Sequence, residues 1–271
     1  MTIAMPLGFR SESTVPLDAG TVLGRLNRFE ARLARGSEDI EKAQALRHRV
    51  FFRDEQSLAR DEDRFDAFCD HLLVVEKGAE ERIVGTYRLM REEAALAAGG
   101  FYSGSEFAVE PLLARNPHER FMELGRSCVD PDFRSRGALE TMWQAIWAYC
   151  GHYRISAMMG CGSFAGTVPA LHAEALSYLT HFHRADGRWA VSALCERHVE
   201  MDLMPPEAID PRSATAKLPP LLRGYLRLGA KIGHGAVVDH DFGTTDVFVL
   251  LPTGAIGQRY LNYYAPERRA A

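Results

Sequence analysis

Phe121-Met122-Glu123-Leu124-Gly125-Arg126-Ser127-Cys128-Val129 is the stretch on which the reading of the fold turns. Its apolar positions suit a strand in the middle of a sheet, yet it carries Glu123 and Arg126. Central strands seldom bear charge without a partner or a task. Three residues apart, the two side chains face opposite sides of a regular strand. One β-bulge would turn both toward the same cleft and would splay the sheet open there.

Working outward, Asp130-Pro131-Asp132 ends this strand, and a helix begins after Gly137. Across Ala138 to Tyr153 the residues Leu139, Met142, Trp143, Ile146, Trp147 and Cys150 mark one wide apolar face. Upstream, Leu26 to Leu33 alternates as a half-buried strand. Glu38 to Phe52 repeats Ile40, Ala43, Leu46, Val50 and Phe51 at helical spacing behind Ser37 as N-cap. A charged loop, Arg53 to Asp70, leads to a hairpin of His71 to Glu76 and Ile83 to Met90. Downstream come a strand at Ile155 to Cys161, a helix at Leu171 to Phe182, and strands at Val199 to Leu203 and Val247 to Leu251. The order predicts an α/β fold with a mixed sheet flanked by helices. Met1 to Gly20 reads as a loose leader, and residues 21–271 as a single domain whose C-terminal region begins at about 205.

Among 271 residues, 46% are hydrophobic and 25% charged, the composition of a globular protein that can bury a large core. Thirty-two basic against thirty-six acidic residues leave a net charge of -4, so nothing global points to nucleic acid. No run has the eighteen or so apolar residues of a membrane span. Five scattered cysteines without a C-x-x-C pair read as reduced thiols of a cytoplasmic protein.

The candidate chemistry gathers at Arg47 and Phe51 on the first helix, Asp63 and Asp66 in the acidic loop, Arg88 on a strand, and Glu123 with Arg126. The stretches Leu46-Arg47, Val50-Phe51, Asp63-Arg64-Phe65-Asp66, Tyr87-Arg88-Leu89 and Glu123-Leu124-Gly125-Arg126 resemble those of the acyl-homoserine lactone synthases, relatives of the GNAT acyltransferases. The remainder is more similar to a sister group, the ornithine lipid synthases known as hemolysin-like acyltransferases. That likeness rests on Cys128-Val129-Asp130-Pro131-Asp132-Phe133-Arg134, Met142-Trp143-Gln144-Ala145-Ile146-Trp147, Gly160-Cys161-Gly162-Ser163-Phe164, Ala175-Leu176-Ser177-Tyr178-Leu179 and Phe242-Gly243-Thr244-Thr245-Asp246, with the Gly224 to Ala230 segment.

The resemblance implies a GNAT-like, splayed sheet and transfer of a (3-hydroxy)acyl chain from the phosphopantetheine of acyl carrier protein, as co-substrate rather than resident cofactor, to the α-amine of ornithine. Glutamine, glycine or lysine as acceptor, a lactone product, and a non-catalytic carrier-binding module are the alternatives. Glu123 would take the ammonium proton. Arg88 and Arg126 would hold the substrate carboxylate or fix Glu123, and Tyr178 would protonate the leaving thiolate, unless it is a core tyrosine. Arg134, Arg136 and Gly137 stand where a donor phosphate binds a helix N-terminus, and Ser163 would bond the pantetheine arm. Leu139 departs from the small residue usual in that pattern, which suits a carrier-protein donor. Asp63, Asp66 and Asp70 offer charge for a second ammonium or organise the site. Leu218 to Leu228 reads equally as a helix at the inner face of a membrane and as a core-packing helix. His234 with Asp239 matches the spacing of an alcohol-acylating pair, and His172, His181 and His183 lack companions for a metal site.

Overall fold

The computed structural model describes residues 15–53, 58–134 and 136–257, with nothing stated of the Arg136 side chain. Most of the expected leader and the end of the chain lie outside these residues. Strands β1 (Val22–Leu26) and β2 (Phe29–Leu33) form a hairpin through Asn27, whose φ of 53° supplies the left-handed turn. Of the expected half-buried strand Leu26 to Leu33, Leu26 closes β1, residues 27–28 turn, and Phe29–Leu33 is β2, buried at every position. Helix α1 (Ser37–Phe52) follows, then β3 (Asp70–Glu76), β4 (Arg82–Arg91), α2 (Glu92–Ala97) and α3 (Val109–Arg115). Next come β5 (Phe121–Val129), α4 (Arg136–Tyr153), β6 (Ala157–Ala165) and α5 (Ala173–His183). Helices α6 (Pro211–Lys217) and α7 (Pro220–Arg227) and strands β7 (Lys231–Asp239) and β8 (Thr244–Pro252) complete the order.

All eight strands make one sheet in the order β1-β2-β3-β4-β5-β6-β8-β7, antiparallel except for β5 beside β6. The region after residue 205 thus supplies two strands of the same sheet. Val199 to Leu203 is not a strand: Val199 makes one isolated bridge to Ala236 on β7, an element the alternation rule misses because its Gly and His residues break the pattern.

One face of the sheet is covered by α4, α5 and α7. Ala138, Met142, Ala145, Ile146, Tyr149 and Tyr153 of α4 recur at three and four residues and bury against Leu72, Val74, Leu89 and Leu124. Leu139, expected on that face, is exposed. Leu222 and Tyr225 of α7 pack into the same core, so the core-packing reading holds for this helix. The other face carries Met90, Phe107, Phe121, Met159 and Phe248. Among the described residues no helix is long and apolar enough to cross a membrane.

Candidate active site

The ladder between β5 and β6 runs only through Phe121–Ala157, Met122–Met158 and Glu123–Met159, after which β6 pairs with β8 alone. The sheet therefore opens at Glu123. Opposite the opening, the register of β5 on β4 slips between Gly125 and Cys128, so Arg126 and Ser127 together oppose Tyr87. Arg126 adopts φ 50°, the left-handed conformation that such a bulge imposes. The bulge swings its guanidinium into the same polar cluster as Arg88, on the sheet face that carries Glu123.

Glu123 is 3% exposed. Its Oε1 accepts the Ser103 N–H and its Oε2 the Tyr102 N–H, each at 2.8 Å. Both donors belong to a short 3-10 turn, Tyr102–Ser105. Burial raises the Glu123 pKa, while these donors and the Arg88 charge pull it back. The result is a base stronger than an exposed carboxylate, with no ion pair to it among the described residues.

Behind it lies a buried ionic network. Arg47, fully buried on α1, grips both carboxylate oxygens of Asp66 at 2.9 Å and pairs with Asp61 Oδ2 at 2.8 Å. Gln44 donates to Asp66 at 3.0 Å. Arg88 reaches Asp63 at 2.6 Å and Asp66 at 3.2 Å, while Arg126 reaches Asp63 and Asp61 at 3.1 Å. Burial pushes the Asp66 pKa up, but the hydrogen bonds and charge of Arg47 and the charge of Arg88 outweigh it and hold the carboxyl well below the usual range. The acidic loop is thus half interior: Asp61 and Asp66 are buried because three arginines need them. The stripe of α1 facing inward is Ala43, Gln44, Leu46 and Arg47, not the all-apolar one its period suggests.

Arg47, Asp63, Asp66, Arg88, Glu123 and Arg126 therefore come together as the sequence places them. Arg47 and Asp66 form the inner part of the network, where Arg47 holds Asp61 and Asp66 holds Arg88 by ion pairs. Arg126 is more open: its side chain is 12% exposed, with Cζ 4.7 Å from the Tyr102 ring centre and 4.5 Å from that of Phe242. Phe51 meets the same Phe242 edge-on at 6.0 Å. Tyr178 is grouped elsewhere. It packs on the α4 side of the sheet, the face opposite Glu123, against Phe182 and His183. The step between neighbouring strand residues puts Leu124 on its side and Glu123 on the other.

Arg134 is exposed and donates to the Val129 carbonyl at 3.3 Å, beside the N-terminus of α4. Gly137 lies where a Cβ would press on the Phe29 ring at 3.3 Å, so packing accounts for a small residue there. Ser163 stands on β6 opposite Asp246 of β8. Asp61, Gln44, Tyr102, Ser103 and Phe242 are site residues that motif reading missed. Phe242 alone stood in a quoted stretch. His234 and Asp239 do not form a pair: Asp239 caps the turn at Asp241 and Phe242, and His234 packs on His198. His181 is bound instead to Asp202 at 2.8 Å.

A family model described as an acetyltransferase (GNAT) domain matches residues 46–144, the span from α1 through the opened strand into α4. The chain is 54% identical to the L-ornithine N(alpha)-acyltransferase of Rhizobium meliloti (strain 1021), over 93% of this chain and 90% of that one. It is 50% identical to the protein of that name from Agrobacterium fabrum, over 91% and 88%, and 36% identical to that of Rhodobacter capsulatus, over 87% and 94%. FeeM, an N-acyl amino acid synthase from uncultured soil microbes, has a similar fold, with a TM-score of 0.50 at 11% identity over 84% of this chain and 93% of that one. The mixed, opened sheet is a GNAT-like fold, and the chain belongs to the family of L-ornithine N(alpha)-acyltransferases.

Proposed function

We propose that this enzyme acylates the α-amine of L-ornithine with a chain delivered as a thioester on the phosphopantetheine of acyl carrier protein. The observation that carries the reading is Glu123, buried where β5 leaves β6, with both oxygens held by backbone N–H groups. An α-ammonium must lose a proton before its nitrogen can attack, and Glu123 accepts that proton. The neutral amine then attacks the thioester carbonyl, the C–N bond forms, and the C–S bond breaks. The thiolate takes up one proton and a second is released as the nitrogen becomes an amide.

Backbone donors along β5 past Glu123, where the ladder to β6 has ended, stabilise the oxyanion. Arg126 holds the acceptor carboxylate, being the most open of the three network arginines, with Asp61 and Asp63 fixing its plane. The pantetheine phosphate sits at the N-terminus of α4, with the exposed Arg134 beside it to meet an acidic carrier surface. Ornithine is the acceptor named for relatives at 54% and 50% identity. The lysolipid product suits an enzyme in the cytoplasm that meets the membrane from its inner face.

The test is mass spectrometry of products from purified protein, 3-hydroxyacyl carrier protein and a panel of amino acids, run beside acyl coenzyme A. Ornithine-selective amide formation from the carrier donor is expected. Amide formation with coenzyme A alone would replace the donor, and no amide from any pair would overturn the reading.

A further inference from the structure

On the same sheet face as Glu123, one step further along the opening, lie three groups that the mechanism above does not use. Glu106 follows the turn that holds Glu123, Cys161 is on β6 and Asp246 is on β8. One ligand atom from each lies within 4.8 Å of the others. The Cys161 thiol donates to Glu106 at 3.4 Å. Glu106 is 3% and Asp246 5% exposed.

Such a pair of carboxylates is costly to bury without a cation. Among the described residues only Arg197, at 3.5 Å and partly exposed, forms an ion pair with Glu106, and none forms one with Asp246. No described residue donates to the buried Asp246 Oδ1, while the Thr244 and Ser163 hydroxyls beside the carboxylate lower its pKa only in part. Asp239, also buried, adds like charge. Burial and the neighbouring Asp246 push the Glu106 pKa up to about 7, and burial raises that of Asp246. Arg126 adds charge near Asp246 without pairing with it, so at this site two buried carboxylates face a single, partly exposed arginine contact.

Its position says which charge fits. Met159 is the ladder partner of Glu123, and Cys161 is two residues further on the same face of β6, about 7 Å away by strand rise. An amino acid whose α-amine meets Glu123 and whose carboxylate meets Arg126 directs its side chain toward the cluster. Three methylenes and a terminal nitrogen reach about 5 Å from Cα. We propose that Glu106 and Asp246, with the Cys161 thiol between them, bind the side-chain ammonium of the diamino acid acceptor and so select ornithine over monoamino acids. The assignment rests on the acyltransferase reading.

The test compares L-ornithine with L-norvaline, the same carbon chain without its terminal amine, as acceptors for the wild type, Asp246→Asn and Glu106→Gln. The ornithine-to-norvaline ratio of kcat/KM should exceed about tenfold in the wild type and fall at least tenfold in each variant, with most of the loss in the KM for ornithine. A ratio that stays unchanged in both variants, or a wild type that does not discriminate, overturns the subsite. A wild type that acylates no amino acid overturns the acyltransferase reading instead. Should neither variant fold, thermal stabilisation of the wild type decides: ornithine above norvaline supports the subsite, and equal stabilisation overturns it. Stoichiometric zinc in the purified protein, with activity lost to a chelator and restored by zinc, would make the cluster a metal site and also overturn it.

Discussion

Glu123 Oε1 lies 2.8 Å from the Ser103 backbone nitrogen, a contact between the opened strand and a loop twenty residues earlier. Two aligned peptide dipoles keep a buried carboxylate oriented while leaving it basic. A paired arginine at the same distance would lower its pKa and weaken it as a base.

Replacing Glu123 with Gln should lower kcat by about 10²- to 10⁴-fold, the usual worth of a positioned general base. Carrier binding, measured separately, should persist. An isosteric amide that keeps full turnover would remove Glu123 from the chemistry.

Arg47 is the keystone of the ionic network. Arg47→Met leaves Asp61 and Asp66 buried without their main cation and should cost about 3–5 kcal/mol in urea unfolding. Because the Asp66 pKa is depressed, its contribution is present above the ordinary value of 3.8 and is lost as pH falls through the lower folded value. The gap between wild type and variant should therefore narrow in acid. Adding Asp66→Asn should restore part of the loss, whereas strict additivity would mean the two do not interact.

Glu106 behaves with the opposite sign. Its pKa rises from 4.5 to about 7 by burial and the Asp246 charge, with Cys161, Asp239 and Arg197 also facing it. The folded state then holds the extra proton, so its contribution is full below about 4.5 and is lost as pH climbs through about 7. Glu106→Gln should gain on the wild type by up to about 3 kcal/mol between pH 5 and pH 8. Thermal melts across that range, without substrate, provide the check.

Gly160 sits where the strands part, and a Cβ there would collide with the Leu124 carbonyl oxygen. Gly160→Ala should cost about 1–3 kcal/mol through overpacking and should cut turnover more than stability, since it displaces the segment next to Glu123. Paired melts and kinetics will separate the two effects. A fully active alanine variant would show that the opening tolerates a wider gap.

Much of this site was legible before folding because its signals are local. Charge inside an otherwise apolar nine-residue strand marked Glu123 and Arg126, and the three- and four-residue spacing of apolar side chains marked α4. Composition and pattern also settled the α/β class. Partners supplied from far along the chain were not legible in this way. The turn at Tyr102 and Ser103 has no motif, and β7 has a broken alternation. Asp61 and Gln44 look like surface residues until Arg47 is known to point inward. Tyr178 had a suggestive place in the order of elements, but α5 packs on the same side of the sheet as α4 and carries it to the face opposite Glu123. Cys161 and Asp246 meet Glu106 only because β8 returns beside β6 and the 3-10 turn lies over both. Periodicity follows from the backbone's own geometry and survives in one dimension. Which buried charge finds which countercharge depends on the cost of desolvation in one packed arrangement, and tertiary structure alone decides it.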